Sequence, residues 1–269
     1  DGTPKILEFN ADTPTSLLEA SVIQWQWKED VFPECDQFNG IHEGLVQSWK
    51  DIFPKKGEIY FAGALENNED TGTLQYLAST AMEAGFSTRV LDMQALDLQN
   101  GRFFDPAGEL VNRCFKLYPW EWMVDESPDG CLAEMEWLEP IWKLVMSNKA
   151  ILATLYELFP DSPYVLPCYL SRPRSGLFCK KPVFSREGHN VSVVDIRNWE
   201  EHVRIAETEG DYNTGAYVYQ EYVEPTVYSG RYPVIGSWII GGEAAGIGIR
   251  ENRMEVTDNL SEFVPHIIG

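Results

Sequence analysis

Positive charge is scarce in this chain of 269 residues. It holds 21 lysines and arginines against 42 aspartates and glutamates, which gives a formal net charge of −21 at pH 7. A surface that binds nucleic acid or an anionic membrane needs an excess of cationic side chains. The composition therefore argues against both partners, although a few well-placed cations would still suffice for a small anionic ligand.

Long apolar runs and paired cysteines are also missing. No apolar run approaches the ~18 residues of a membrane-spanning helix, and no signal peptide is recognisable. The five cysteines are scattered and form no C-x-x-C pair, so we expect reduced thiols in a cytoplasmic protein. Hydrophobic residues make up 44% of the chain. This share is typical of a globular protein with one large domain or two smaller ones.

The hydrophobic pattern of the first half predicts a small α/β unit. Residues 57–65 are typical of a buried strand, 66–85 of a loop and a helix closed by Gly85, and 86–98 of a second strand with its exit. Elsewhere, helices are expected at 13–30, 40–51 and 138–158. Strands are expected at 5–9, 164–168, 177–183, 191–195 and 216–223, and residues 232–251 form a hairpin through Gly241 and Gly242.

The opening stretch KILEFNADTPTS places polar side chains on a predicted strand. Glu8 and Asn10 lie two residues apart and therefore on one face of it. A carboxylate beside an amide, where a core residue would serve, indicates a ligand site. Thr13 or Thr15 is expected to cap the helix that follows. The residues before this strand resemble a hairpin turn without its first strand, so we expect the sequence to be a fragment.

Four cationic or strand features suit a nucleotide, although each has an ordinary structural alternative. Lys149 lies within an otherwise apolar helical stretch, where it could bind a ligand or could extend along the helix surface to solvent. Lys181 precedes the polar loop SREGHN, which suits a loop folding over phosphates but also suits a solvated turn. The strand 216–223 could meet an adenine ring or be a plain sheet strand. Arg250 follows a strand of small residues that permit close approach of a ligand, or it is a surface arginine.

The order of these segments carries a resemblance. EFNADTPTS, EPIWKLVMSNKAILATLYELFP, KKPVFSREG, YVYQEYV and GRYPVIGSWIIGGEAAGIGIRE together resemble the glutathionylspermidine synthase family over essentially the whole chain. This ATP-grasp ligase group occurs as the synthetase domain of a bifunctional enzyme and as stand-alone paralogues. The resemblance implies an α+β ATP-grasp fold that is truncated at its N-terminus. Its nucleotide- and metal-binding core would comprise residues 1–50 and 126–269, and a smaller α/β substrate-side subdomain residues 51–125.

The resemblance also implies a role for individual residues. The magnesium ligands would be Glu8 and Asn10. The ATP-binding residues would be Lys149, Lys181, Gln220, Glu221, Tyr222 and Val223. The catalytic cations would be Arg186 and Arg250, and the residues at the acid and amine sites would be Thr13, Thr15, Glu69 and Asp70.

The chain departs from the family pattern in two respects. An Arg-x-Asp element, which supplies a catalytic arginine and a metal ligand, is expected upstream of Asp1, so the fragment alone is expected to be poorly active or inactive. Leu117 stands where the family has a glutathione-contact threonine, and Asp70 where a glutamate is expected. The nucleotide residues match the family pattern, whereas those of the acceptor site match it only in part.

The resemblance implies an ATP-dependent carboxylate–amine ligase that works through an acyl phosphate. The acid would be a glutathione-like peptide and the amine a polyamine. The acidic pair Glu69–Asp70 suits a cationic amine, but it equally suits the first turn of a helix. The alternative function is a degenerate homologue that binds a nucleotide without ligase turnover.

Overall fold

The computed structural model describes residues 2–205, 207–212, 215–257 and 260–269. These form a mixed α/β protein that divides into two compact units. Unit 1 comprises Asp1–Asn10, Val145–Val234 and Arg250–Glu262, and unit 2 comprises Ala11–Leu144, Ile235–Ile249 and Phe263–Gly269.

The helices, in chain order, are α1 (Gln24–Val31, preceded by a π-helical turn at Glu19–Ile23), α2 (Ile41–Ile52), α3 (Asn68–Glu83), α4 (Trp120–Glu126), α5 (Pro128–Cys131), α6 (Lys143–Ser147) and α7 (Ile151–Leu158), with a 3₁₀ turn at Met93–Ala95. The strands are β1 (Glu58–Gly63), β2 (Ser87–Asp92), β3 (Asp97–Gln99), β4 (Arg102–Phe104), β5 (Leu110–Val111), β6 (Arg113–Leu117), β7 (Glu136–Leu138), β8 (Cys168–Tyr169), β9 (Gly176–Pro182), β10 (Ser192–Arg197), β11 (Glu200–Ile205), β12 (Tyr217–Glu221), β13 (Tyr232–Ile240), β14 (Glu243–Asn252) and β15 (Glu262–Val264).

Unit 2 contains a parallel sheet in the order β2-β1-β6-β7. The predicted strand–helix–strand order is confirmed, with α3 connecting β1 to β2. The side chain of Asn67 accepts the N–H of Glu69 and so caps α3. Gly85 ends the helix region with a φ of +94°, a conformation that costs glycine little. The hairpin of β13 and β14 is also as predicted, since Gly241 and Gly242 turn it with φ of +60° and +90°.

The core of unit 2 lies on both faces of β1, which explains why this strand is apolar throughout. Ile59 and Phe61 pack in one cluster with Trp49 of α2. Tyr60 packs in a second cluster with Trp137 of β7. Because helix α2 and strand β7 share the core of β1, residues 11–50 and 126–144 belong to the same unit as β1. The predicted subdomain 51–125 is therefore part of a larger unit, which also contains residues 11–50 and 126–144.

Unit 1 contains an antiparallel sheet in the order β11-β10-β9-β12-β8. Phe178, Val194 and Tyr219 pack together on one face. On the opposite face, Val218 and Cys168 pack with Leu152 of α7. Consecutive residues of a strand point to opposite faces, so Lys181 shares the face of Val218 and α7, and Lys180 lies on the other.

Three predicted elements differ from the structure. Residues 5–9 form no strand, although the Ile6 N–H donates to the Tyr164 carbonyl at 2.9 Å. The helix after them begins at Leu17, so neither Thr13 nor Thr15 occupies its N-cap position. The single helix expected over 138–158 is broken into α6 and α7.

The break between α6 and α7 has a structural cause. The side chain of Asn148 accepts the N–H of Ala150 at 3.0 Å, and the N–H of Lys149 donates to the Val183 carbonyl at 2.9 Å. The backbone of Lys149 is thus bonded to the end of β9 rather than to the preceding helical turn, which interrupts the helix.

Two further findings concern the whole described chain. All five cysteines are free, and Cys114 and Cys168 are buried. Among the helices of the described residues, none is long and apolar enough to cross a bilayer.

Candidate functional site

Three consecutive residues of the opening segment contact three of the predicted nucleotide-binding side chains, all within unit 1. The Ile6 carbonyl accepts a hydrogen bond from Nε2 of Gln220 at 2.9 Å. The Leu7 carbonyl accepts one from Nζ of Lys181 at 3.0 Å. Glu8 pairs with Lys149, with 3.4 Å between Oε2 and Nζ. The predicted metal-binding segment and the predicted nucleotide residues therefore form one cluster.

Gln220 lies at the centre of this cluster. Its side chain is 2% exposed, and its Oε1 accepts from Nζ of Lys181 at 2.7 Å. The two residues share a sheet face on neighbouring strands, because Gln220 is in register with Cys179 and Lys181 with Val218. One amide side chain thus holds the lysine and the opening segment together. Sequence reasoning assigned only adenine binding to Gln220 and missed this bridging role.

Lys149 is buried at the break between α6 and α7, with 7% exposure. Its Nζ donates to the Ser185 carbonyl at 2.6 Å, in the polar loop after β9. Lys149 is therefore not a surface lysine, and its role in nucleotide binding stays a prediction. The same contact places the loop over the ammonium group, which is the arrangement expected of a loop that covers phosphates.

The charges of the cluster influence one another. Burial lowers the pKa of Lys149, Glu8 opposes that shift, and the nearby positive charges of Lys181 and Arg186 add to it. Loss of solvation raises the pKa of the Glu8 carboxyl. The charges of Lys149 and Lys181 and the hydrogen bond from Asn10 lower it by more, so the pKa of Glu8 lies below its ordinary value. Lys149, Lys181 and Arg186 thus concentrate positive charge beside Glu8, and such a concentration suits a polyphosphate anion.

Glu8 and Asn10 are adjacent, as the spacing predicted. Nδ2 of Asn10 donates to Oε1 of Glu8 at 3.3 Å. Side-chain oxygens of this type fit Mg²⁺, which is commonly held by one or two protein ligands together with phosphate oxygens and water. Among the described residues, no group of three or more His, Cys, Asp or Glu side chains converges on one point. The pair by itself offers two side-chain oxygen ligands, which fits a magnesium ion whose other ligands are phosphate oxygens and water.

The two predicted catalytic arginines lie in unit 1. Arg186 is close enough to Lys149 for its charge to lower the pKa of that lysine. Arg250, on β14, donates from its guanidinium to the Ser261 carbonyl at 3.5 Å. The cluster thus includes Arg186, and the role of Arg250 stays a prediction.

The predicted adenine-binding residues end β12. The N–H groups of Glu221 and Tyr222 donate to the carbonyls of Pro167 and Leu177, at 2.7 and 3.0 Å. The hydroxyl of Tyr222 contacts Glu255, and Val223 is 48% exposed. Because neighbouring segments hold these two amides, an adenine contact here would use the carbonyl groups or Val223.

The predicted substrate residues lie in unit 2. Glu69 and Asp70 occupy the first turn of α3, where acidic side chains are favoured by the helix dipole. Thr13 is half-buried and Thr15 is exposed. Leu117, which replaces the expected threonine, is 5% exposed and belongs to the apolar core of unit 2. The assignments of these residues to acid and amine sites stay predictions.

A buried ion pair in unit 2 was not predicted. Nζ of Lys116 lies 2.6 Å from Oδ1 of Asp12, and both side chains have 0% exposure. Asp12 also accepts the Trp120 N–H at 2.9 Å, and Lys116 donates to the Tyr118 carbonyl at 2.8 Å. The lysine within the apolar run CFKLYPW was the available signal.

Comparisons with known proteins identify the family to which the chain belongs. The family model described as "Glutathionylspermidine synthase preATP-grasp" matches residues 1–269. A Haemophilus influenzae protein named "Putative acid--amine ligase" is 38% identical over 97% of this chain and 70% of its own length. The bifunctional glutathionylspermidine synthetase/amidase of Escherichia coli is 26% identical over 98% of this chain, which spans 47% of that enzyme.

The fold is also seen in a solved structure. The chain superposes on a glutathione synthetase-like effector from Globodera pallida with a TM-score of 0.59 and 11% identity, over 98% of this chain and 72% of the other. At that identity the likeness shows the fold alone. Together with the match of the family model over the full chain, these findings show that the chain belongs to the glutathionylspermidine synthase family.

Proposed function

We propose that this chain acts as an ATP-dependent carboxylate–amine ligase with an ATP-grasp fold. The observation that carries the proposal is the set of contacts from Ile6, Leu7 and Glu8 to Gln220, Lys181 and Lys149. It joins the proposed metal-binding segment to buried cations, the combination that phosphoryl transfer requires. The names of the relatives, an acid–amine ligase and a glutathionylspermidine synthetase, suggest the reaction class.

The proposed reaction has two steps. A carboxylate oxygen of the acid attacks the γ-phosphorus of ATP, the bridging P–O bond to the β-phosphate breaks, and ADP leaves. The amine nitrogen then attacks the acyl carbon, the C–O bond to the phosphate breaks, and the nitrogen loses a proton as the amide forms. Both reactants of the first step are anionic, so the protein must neutralise charge between them.

The residues of the cluster would divide this task. Lys149 and Lys181 would bind phosphate oxygens. Arg186 and Arg250 would add positive charge that offsets the repulsion between the two anionic reactants. Glu8 and Asn10 would hold Mg²⁺, whose chemical contribution is to screen the phosphate charge. Gln220, Glu221, Tyr222 and Val223 would bind the adenine end. All of these act by positioning and electrostatics rather than by covalent catalysis.

The substrates we propose are a glutathione-like peptide as the acid and a polyamine as the amine. Glu69 and Asp70 would attract the cationic amine, and Thr13 and Thr15 would contact the acid. One observation favours the alternative, a nucleotide-binding homologue without turnover. The family's glutathione-contact threonine is replaced by Leu117, which is buried in the apolar core and has no polar group to offer.

The test is release of ADP and phosphate by the full-length protein with Mg²⁺ and a panel of thiol peptides, other carboxylates and polyamines. We expect release only when a matching acid and amine are both present. Lys181→Ala should abolish nucleotide binding, whereas Lys50→Ala, which removes an exposed lysine of α2, should leave it unchanged. ATP binding without turnover for any pair would favour the alternative, and unchanged ATP affinity in Lys181→Ala would refute the phosphate site.

A further inference from the structure

The two lysines expected to bind phosphate already have oxygen partners from the opening segment. Nζ of Lys149 pairs with the carboxylate of Glu8 at 3.4 Å, and Nζ of Lys181 donates to the Leu7 carbonyl at 3.0 Å. A phosphate group at these lysines would have to replace or share these contacts. The predicted metal ligand Glu8 is thus also the carboxylate partner of a predicted phosphate-binding cation.

This pairing has an electrostatic reason. A buried ammonium group is costly unless an anion or several acceptors compensate it. Lys149 is 7% exposed, and the positive charges of Lys181 and Arg186 act on it as well. Glu8 supplies negative charge where three cations come together.

The exposure of the side chains indicates which of the two lysines can release its partner when a ligand binds. The Glu8 side chain is 46% exposed, whereas that of Lys149 is 8% exposed. The carboxylate can therefore rotate away without opening a packed core. The contact between Lys181 and Gln220 is enclosed, with the two residues 7% and 2% exposed, and is expected to persist when a ligand binds.

We propose that Glu8 is an exchangeable counterion. It neutralises Lys149 when the site holds no ligand, and it is released to bind Mg²⁺ when a polyphosphate takes its place at Lys149. This inference rests on the proposed function only for the assignment of phosphate to Lys149. It follows that nucleotide and Mg²⁺ bind with positive coupling, since each ligand removes the competitor of the other.

The experiment is calorimetric titration with ADP at about pH 7, in EDTA and in Mg²⁺, on the wild-type chain and on Glu8→Gln. We expect Glu8→Gln to bind metal-free ADP about three- to tenfold more tightly than wild type, because an anion next to the phosphate site has been removed. The gain in affinity that Mg²⁺ gives the wild type should be lost or strongly reduced. Glu200→Gln, which removes an exposed carboxylate on the edge strand β11, should match the wild type in both buffers.

Glu8→Ala gives a second test in the same direction, and thermal unfolding checks that each variant is folded. Equal or weaker metal-free binding in both Glu8 variants would overturn the inference. So would a full magnesium effect in Glu8→Gln, or absence of ADP binding by the wild type in both buffers. The ligase proposal fails separately: binding of ADP without turnover for any acid–amine pair would leave the exchange at Glu8 intact.

Discussion

Asp12 and Lys116 form an ion pair enclosed on all sides within unit 2. Both side chains have 0% exposure, and the ammonium group also lies 4.4 Å from the centroid of the Trp120 ring. The Asp12 carboxylate also accepts a hydrogen bond from the backbone N–H of Trp120. Each charge therefore has several partners, which is the condition under which a buried pair is tolerated.

Removing one member of this pair should be strongly destabilising. Asp12→Ala leaves the Lys116 ammonium and the Trp120 N–H without their carboxylate, and we expect a loss of about 3–5 kcal/mol in the free energy of unfolding. The measurement is urea denaturation monitored by tryptophan fluorescence, with the midpoint and slope of the transition compared with those of wild type.

A double variant separates charge burial from packing. Asp12→Ala combined with Lys116→Met removes both charges, so it should recover part of the stability lost in Asp12→Ala. Additive losses in the double variant would contradict the view that an unpaired Lys116 causes the damage.

At the residue scale, the sequence indicated which polar side chains are unusual, but not how they are paired. Lys149 and Lys181 were predicted as nucleotide ligands, and both are buried cations of one cluster. The side-chain bridge of Gln220 from Lys181 to Ile6 could not be predicted. It depends on the register of β12 with β9 and on a segment more than 200 residues away in the chain.

At the scale of elements, local patterns predicted type better than extent. The apolar run of β1 and the glycine signals at the end of α3 and in the β13–β14 hairpin were sufficient, because each signal lies within or next to the element that it predicts. The helix over 138–158 was wrong, because the bond from the Lys149 N–H to the Val183 carbonyl is a long-range contact. Helix propensity contains no information about a distant carbonyl group that competes for a backbone N–H.

The loop after β9 offers a test at this scale, because Gly188 has a φ of +71° and a very close neighbour. A Cβ atom at this position would lie 2.1 Å from the carbonyl oxygen of Thr257. We therefore expect Gly188→Ala to displace the loop that carries Arg186 and the Ser185 carbonyl. ADP affinity should fall, and the free energy of unfolding should decrease by more than the ~1 kcal/mol typical of strain at positive φ alone.

Gly230→Ala is the matched control for the loop. Gly230 has a φ of +78° but no atom within 4 Å of the position of a Cβ, so it isolates backbone strain from steric overlap. It should lose only about 1 kcal/mol and retain ADP affinity. Equal effects of the two substitutions on ADP binding would contradict a role for the loop at the phosphate site.

At the scale of the molecule, each unit is assembled from segments that are distant in sequence. In unit 1 the opening residues join strands from the middle of the chain, and in unit 2 the last residues join α1. The predicted subdomain 51–125 was a single continuous stretch of sequence, whereas each unit of the structure combines separate stretches. Composition could predict a globular protein, and the hydrophobic pattern a small α/β unit, but neither could predict which distant segments share a core.

His266 links the last residues of unit 2 to its first helix and suggests a pH test. Its Nε2 accepts the Phe38 N–H at 3.2 Å, and its Nδ1 therefore donates to Oε1 of Gln24 at 2.9 Å. The Gln37 side chain donates to the His266 carbonyl at 2.8 Å. Only the neutral imidazole can make both ring contacts, because protonated Nε2 would face another N–H donor.

Burial lowers the pKa of His266 below its ordinary value of 6.5, so the unfolded chain binds its proton more readily than the folded chain. The stabilising contribution should be complete above pH 6.5 and should be lost as the pH falls from there toward the folded-state pKa. We expect the difference in unfolding free energy between wild type and His266→Gln to shrink over this range, by at most ~1.4 kcal/mol per pH unit. The comparison cancels the titration of carboxylates common to both proteins. A difference that stays constant from about pH 7.5 to about pH 5 would show that His266 does not act through its neutral form.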